Sequence, residues 1–194
     1  MPELPELQAL AEGLSVATVG RRITGATMWQ PATLKSADPP LADLAGRTVT
    51  AVWRRGKLIG IAAGDLTLVI HLMQGGRLGL TRASAKRPGR TVAMSIALHG
   101  DEELRLREAA TEHRASVHVL DDATLAAHPP LTRLGPEPLA LPAATWRERL
   151  ASPSARLHTA LRDGRRVAGI GRAYASDIMW VARLAPFAST GRLT

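Results

Sequence analysis

The 194-residue chain has no cysteine, and that absence closes two routes at once. Neither a disulfide nor a thiolate zinc site can form within it. Aromatic side chains are scarce, with one Tyr, one Phe and four Trp, so Leu, Val, Ile and Ala must fill any core. No apolar run reaches the ~20 residues of a membrane span, and no basic-then-apolar segment opens the chain. A cytoplasmic protein with no membrane partner is expected. Acidic residues are also in short supply: 17 Asp and Glu against 25 Lys and Arg leave a net charge of +8. A surplus of that size suits a polyanion, because each neutralised phosphate releases condensed counterions. Charge alone does not separate a nucleic-acid binder from an ordinary Arg-rich protein.

What is present is ample apolar material, 45% of residues, enough for one large domain or two small ones. Leu4, Leu7, Leu10 and Leu14 recur at helical spacing over residues 3–18, with Pro5 in the first turn where its missing N–H costs little. Eight short β-prone runs follow, at 22–30, 47–53, 57–63, 66–72, 76–81, 91–98, 103–107 and 115–120. Turn residues such as Gly64-Asp65, Gly75-Gly76 and His99-Gly100-Asp101 separate them. The pattern predicts an antiparallel two-layer β-sandwich, with the nearly all-apolar run at 66–72 in a central position. Residues 121–142, with Asp121-Asp122, five prolines and Gly135, read as a linker. Helices are expected at 143–151, at 153–162 with Ser152-Pro153 as N-cap and first helical position, and at 173–184, stopped by Pro186. The fold class is α+β, with a first domain over 1–125 and a helical second domain over 126–194.

The chain opens Met1-Pro2-Glu3-Leu4-Pro5-Glu6. Removal of Met1 leaves Pro2 with a terminal secondary amine, whose pKa of about 7.7–8.0 keeps it partly neutral at physiological pH. Such an amine can add to an aldehyde carbon to form an iminium. Glu3 is the adjacent proton carrier. This hexamer, Arg54-Arg55-Gly56-Lys57, Ile70-His71-Leu72 with Gly75-Gly76-Arg77-Leu78, Leu134-Gly135-Pro136-Glu137-Pro138-Leu139 and Val167-Ala168-Gly169-Ile170-Gly171 fall in one order and spacing. Together they resemble the formamidopyrimidine-DNA glycosylase/endonuclease VIII family from end to end. The hexamer and the Gly-Ile-Gly segment are its specific parts.

The resemblance implies a catalytic set of Pro2 as nucleophile, Glu3 as acid/base and Lys57 as the β-hairpin cation, with Glu6 in support. It implies DNA contacts from His71, Gln74, Arg77, Gly169, Gly171 and Arg172, and no metal. The expected activity is excision of oxidised bases from duplex DNA with cleavage at abasic sites by β,δ-elimination, by a monomer associated with the bacterial nucleoid. Several positions depart from the pattern. Arg172 stands where relatives carry Asn, Asp177 where they carry Glu, and Gln74 where many carry a wedge Met. The stretch Arg107 to Arg114 lacks their Arg-Arg-Phe-Gly motif. Relatives continue through two more helices and a Cys₄ zinc finger, so a truncated helix–two-turns–helix domain without cofactor is expected. Two other readings stay open: a non-catalytic binder of abasic or distorted DNA, and a general basic nucleic-acid module.

Overall fold

The computed structural model of the protein describes residues 1–83, 89–109, 113–151, 155–185 and 187–192. Its first element, α1 (Leu4–Thr18), buries Leu4, Leu7, Ala11 and Leu14 along one face. Steps of three and four residues keep those side chains in a single stripe. Each leucine taken out of water stabilises the fold by about 2 kcal/mol.

Eight strands follow: β1 (Ile23–Met28), β2 (Val49–Arg55), β3 (Leu58–Ala63), β4 (Leu66–His71), β5 (Gly76–Arg82), β6 (Val92–Leu98), β7 (Glu102–Glu108) and β8 (Ser116–Asp121). Each expected run forms a strand, with ends within two residues of the reading from sequence. They make two four-stranded sheets, in the orders β1-β6-β7-β5 and β2-β3-β4-β8. Their inner faces and α1 share one apolar core that includes Leu7, Leu14, Ile59, Leu68, Ile70, Met94, Leu106 and Val117. β4 lies between β3 and β8 and is buried from Leu66 through Ile70. Its nearly all-apolar run has a physical reason. Residues on the outward face, Thr67 and Val69, are also covered, and α2 (Asp122–Ala127) packs against β4 and β8.

Gly60 in β3 is a requirement of packing. A Cβ there would come 2.1 Å from the indole of Trp53 on β2. Gly60→Ala is therefore expected to cost about 1–3 kcal/mol of stability, the usual price of overpacking a filled core. A denaturant midpoint equal to wild type would contradict this.

Two compact units divide the chain: Met1–Arg54 with Leu58–Ala127, and Arg55–Lys57 with His128–Thr194. Inclusion of the β2–β3 turn in the second unit was not visible in the sequence. The span expected as a linker also differs. It carries α2, α3 (Pro129–Thr132) and a 3₁₀ turn at Pro138–Ala140. Asp121 starts α2 by accepting hydrogen bonds from the Thr124 hydroxyl (2.6 Å) and amide (2.8 Å). Those bonds, the hydroxyl's foremost, hold the Asp121 carboxyl below its ordinary pKa.

The second unit packs α4 (Ala143–Leu150), α5 (Leu157–Arg162) and α6 (Arg172–Val181) around Leu150, Leu157, Leu161, Val167, Ile170 and Met179. The expected N-cap at Ser152-Pro153 and the expected stop at Pro186 lie outside the described residues. α6 itself ends earlier than expected. Arg183 takes a left-handed backbone (φ 54°), the Arg183 amide donates to Trp180 O (3.0 Å) and the Leu184 amide to Met179 O (2.9 Å). This is a Schellman termination with Arg where Gly is usual, a signal that Pro-and-Gly punctuation misses. Among the described residues no helix is long and apolar enough to cross a membrane.

Candidate active site

The first unit fixes the N-terminal hexamer by a reciprocal capping box. Glu3 is the N-cap of α1, its amide donates to Glu6 Oε2 (3.1 Å), and its carboxylate faces the Glu6 amide in return. Glu6 is thereby the N3 arm of the box. Glu3 is 5% exposed, while Pro2 beside it is half-buried. Further along the same helix, Gln8 Oε1 accepts from Arg54 Nε (2.8 Å), tying α1 to β2. The buried carboxylate of Glu3 thus follows Pro2 in the chain, at a helix start held by its own capping box.

At the edge of the same unit, β4 ends at His71, opposite Leu58 of β3 and Ser116 of β8. The turn after it is tight. His71 Nδ1 accepts from the Met73 amide (3.2 Å), Met73 sits at φ 50°, and the Gly76 amide donates to Leu72 O (2.9 Å). A Cβ on Gly76 would lie 2.3 Å from Leu72 O, so this closure needs glycine. Gln74 and Arg77 are exposed on the turn, and Arg77 donates to Gly76 O (2.8 Å) and Gln74 O (3.2 Å). The segment after β7 runs alongside, with the Ala109 amide 3.3 Å from Gly75 O. Glu108, 1% exposed, accepts from the Ala115 amide (2.7 Å) and lies 3.4 Å from His113 Nδ1. Of the stretch that lacks the Arg-Arg-Phe-Gly motif, Ala110, Thr111 and Glu112 lie outside the described residues. Sequence reasoning gave Glu108 no role, although it follows Leu104 and Leu106 at the two-residue period of the buried face of β7.

In the second unit, Lys57 is half-buried next to Gly56, which holds φ 57°. The segment Leu134–Glu137 braces this tip from within the same unit. Arg55 donates to Glu137 Oε1 (3.0 Å) and Gly135 O (2.7 Å), and the Gly56 amide donates to Glu137 Oε1 (2.8 Å). Farther along, Gly169 takes φ 87° and Gly171 is the N-cap of α6, between buried Ala168 and Ile170 and an exposed Arg172. The first-turn amides and positive dipole end of a ten-residue helix favour an anion there. Asp163 is held below its ordinary pKa chiefly by the Arg165 guanidinium, which binds it at 3.0 and 3.2 Å. Among the described residues no group of three His, Cys, Asp or Glu side chains could hold a metal ion. A groove of about 1080 Å³ in this unit, between Met179, Trp180, Leu184 and Phe187, contains none of the candidate catalytic residues.

A profile of the formamidopyrimidine-DNA glycosylase N-terminal domain matches residues 1–113. The chain belongs to the formamidopyrimidine-DNA glycosylase family. It is 36% identical to the formamidopyrimidine-DNA glycosylase of Chloroflexus aurantiacus over 199 residues, covering all of this chain and 70% of the relative. It is 33% identical to that of Symbiobacterium thermophilum, covering all of this chain but only 64% of the relative's length. The fold matches the Lactococcus lactis formamidopyrimidine-DNA glycosylase bound to DNA containing an abasic site, with a TM-score of 0.89. That match is 22% identical and covers 99% of this chain and 74% of the other. Family membership thus rests on sequence, and the sandwich-plus-helices architecture on sequence and fold together.

Proposed function

We propose that this chain is a DNA-repair glycosylase with abasic-site lyase activity, acting on oxidised bases and abasic sites in duplex DNA. The observation that carries the reading is the buried Glu3 beside Pro2 at a capped helix start. Enzymes that act on a base must extrude its nucleotide from the stack. With Met1 removed, the Pro2 nitrogen lone pair forms a bond to C1′ while the glycosidic bond breaks and its electrons leave with the base. Glu3 takes the proton that the Pro2 nitrogen sheds and delivers it to the sugar ring oxygen, whose bond to C1′ breaks as the iminium forms, while the departing base takes its proton from water. Loss of a proton from C2′ then expels the 3′ phosphate, and a second elimination expels the 5′ phosphate. Lys57 offers a cation to the departing phosphate. In the neutral His71 ring, Nδ1 accepts from Met73, so Nε2 carries the proton and is the edge that can donate to a backbone phosphate.

Borohydride reduction of a mixture of the protein and abasic duplex tests the reading. A covalent protein–DNA adduct is expected. Tight binding to abasic duplex without any adduct would replace the enzyme by a non-catalytic binder.

The roles of Lys57 and His71 separate by kinetics. Lys57→Ala is expected to lower the single-turnover nicking rate by about 10²–10³-fold, the usual loss when a charge stabiliser is deleted. His71→Ala is expected to weaken duplex affinity by roughly tenfold or more, since a hydrogen bond to a charged group contributes about 1.5–3 kcal/mol. Equal affinity losses with unchanged single-turnover rates in both variants would refute the role given to Lys57.

A further inference from the structure

We infer that Glu137 is a positioning residue for Lys57, and that the Leu134–Glu137 segment sets the Lys57 turn in register with the Gly169–Gly171 loop. The inference rests on the role proposed for Lys57 and names the group that supports it.

The turn Arg55-Gly56-Lys57 has little means of holding one conformation by itself. Gly56 sits at φ 57°, a region glycine enters without penalty but also leaves easily. Two external restraints select it. One Glu137 oxygen takes both the Gly56 amide (2.8 Å) and the Arg55 guanidinium (3.0 Å). The other arm of the Arg55 fork reaches Gly135 O at 2.7 Å. Charge-assisted bonds of this kind are stronger and more directional than neutral ones. Leu134 closes the space above the turn, since a Cβ on Gly56 would meet its Cδ1 at 3.0 Å. Lys57 is the next residue, so its backbone direction follows from these contacts.

The same segment is fastened on its far side. The Gly135 amide donates to Gly164 O (2.8 Å), and the Ala168 amide donates to Pro136 O (2.9 Å). Approach is so close that a Cβ on Gly135 would lie 2.4 Å from Arg166 O and 2.6 Å from Arg165 O. Ala168 directly precedes Gly169. One four-residue segment therefore links the turn that carries the cation to the loop that opens α6. Glu137 contributes no proton and touches no substrate; it acts through Lys57.

A double-mutant cycle and a proteolytic readout test this on the full chain. Arg55 and Lys57 are both tryptic sites, so loosening of the turn appears as cleavage after residue 55 or 57 in mass spectrometry. Glu137→Ala is expected to accelerate that cleavage, and Glu137→Gln, which keeps an acceptor for the Gly56 amide, much less. On saturating abasic duplex, Glu137→Ala is expected to slow single-turnover nicking by about tenfold to a hundredfold, the range for a catalytic group displaced by ~1 Å. In a Lys57→Ala background the same change should add nothing, because contacts acting through one group do not add. If Glu137→Ala is too unstable to purify, Arg55→Gln removes the other half of the clamp and enters the same cycle. Wild-type cleavage at residues 55–57 in the variant would overturn the inference, as would an equal rate loss with and without Lys57. If the wild type itself fails to nick, the proposed function falls, and the proteolysis still decides whether Glu137 holds the turn.

Discussion

Pro2→Gly is expected to lower borohydride trapping on abasic DNA by at least about a hundredfold, because it removes both the secondary amine and the ring that aims it. Glycine leaves a primary amine, so the loss tests geometry as well as nucleophile identity. The structure makes geometry matter. Glu3 begins a helix pinned by its own box with Glu6, and Leu4 and Leu7 are buried behind it. A rigid proline on that helix has few directions in which its nitrogen can point, whereas glycine has many. Retention of Met1 should abolish trapping altogether, since Pro2 would then be an amide with no nucleophilic lone pair. Mass spectrometry of the intact protein distinguishes the two forms. The pH dependence follows from the amine. An α-amino group titrates at about 7.7–8.0, so the trapping rate should climb as pH rises toward about 8 and then level as the amine becomes neutral. A Pro2-blocked protein that nicked abasic DNA at the normal rate would show that the nucleophile lies elsewhere.

The sequence was most legible where one physical rule dominated. β-prone runs between turn residues marked the strands, and the nearly all-apolar run at 66–72 marked β4 as a central one. Amphipathic spacing likewise marked α1. It failed where that rule had nothing to act on. α2 and α3 bury no side chain of their own, so no apolar period announces them among Asp and Pro residues. The Asp121-to-Thr124 cap was the available signal. The ending of α6 at Arg183 was hidden because a non-glycine residue occupies the left-handed position. At the candidate site, residue types could be read but their engagements could not. Glu137 was visible only as part of a Pro- and Gly-bearing motif, and its two donors, Arg55 and Gly56, lie some eighty residues earlier in the chain. Pairings over such separations leave no periodicity in either segment.

Those engagements also change what salt should do to DNA binding. Arg54, Arg55, Arg165, Arg166 and Arg172 stand out in the sequence as candidate phosphate contacts. The fold already gives three of them a carboxylate partner, Arg55 with Glu137 at 3.0 Å, and Arg165 and Arg166 with Asp163 at 3.0 and 3.8 Å. An arginine neutralised within the protein releases few counterions from DNA. Each phosphate that a cation of this chain neutralises contributes about −0.9 to the slope of log affinity against log salt, roughly a 3.5-fold loss between 50 and 200 mM. Arg172→Ala should reduce that slope by about one, and Arg165→Ala should leave it unchanged. At fixed salt, duplex with an abasic or tetrahydrofuran site should bind more tightly than intact duplex, because the unpaired site removes part of an extrusion cost of a few kcal/mol. Anisotropy titrations with both duplexes at several salt concentrations measure all of these. Equal affinity for intact and abasic duplex would reduce the chain to a non-specific basic DNA binder. A flat salt response would remove DNA from the reading, and a slope that drops on Arg165→Ala would mean that Asp163 surrenders its arginine to the phosphate when DNA arrives.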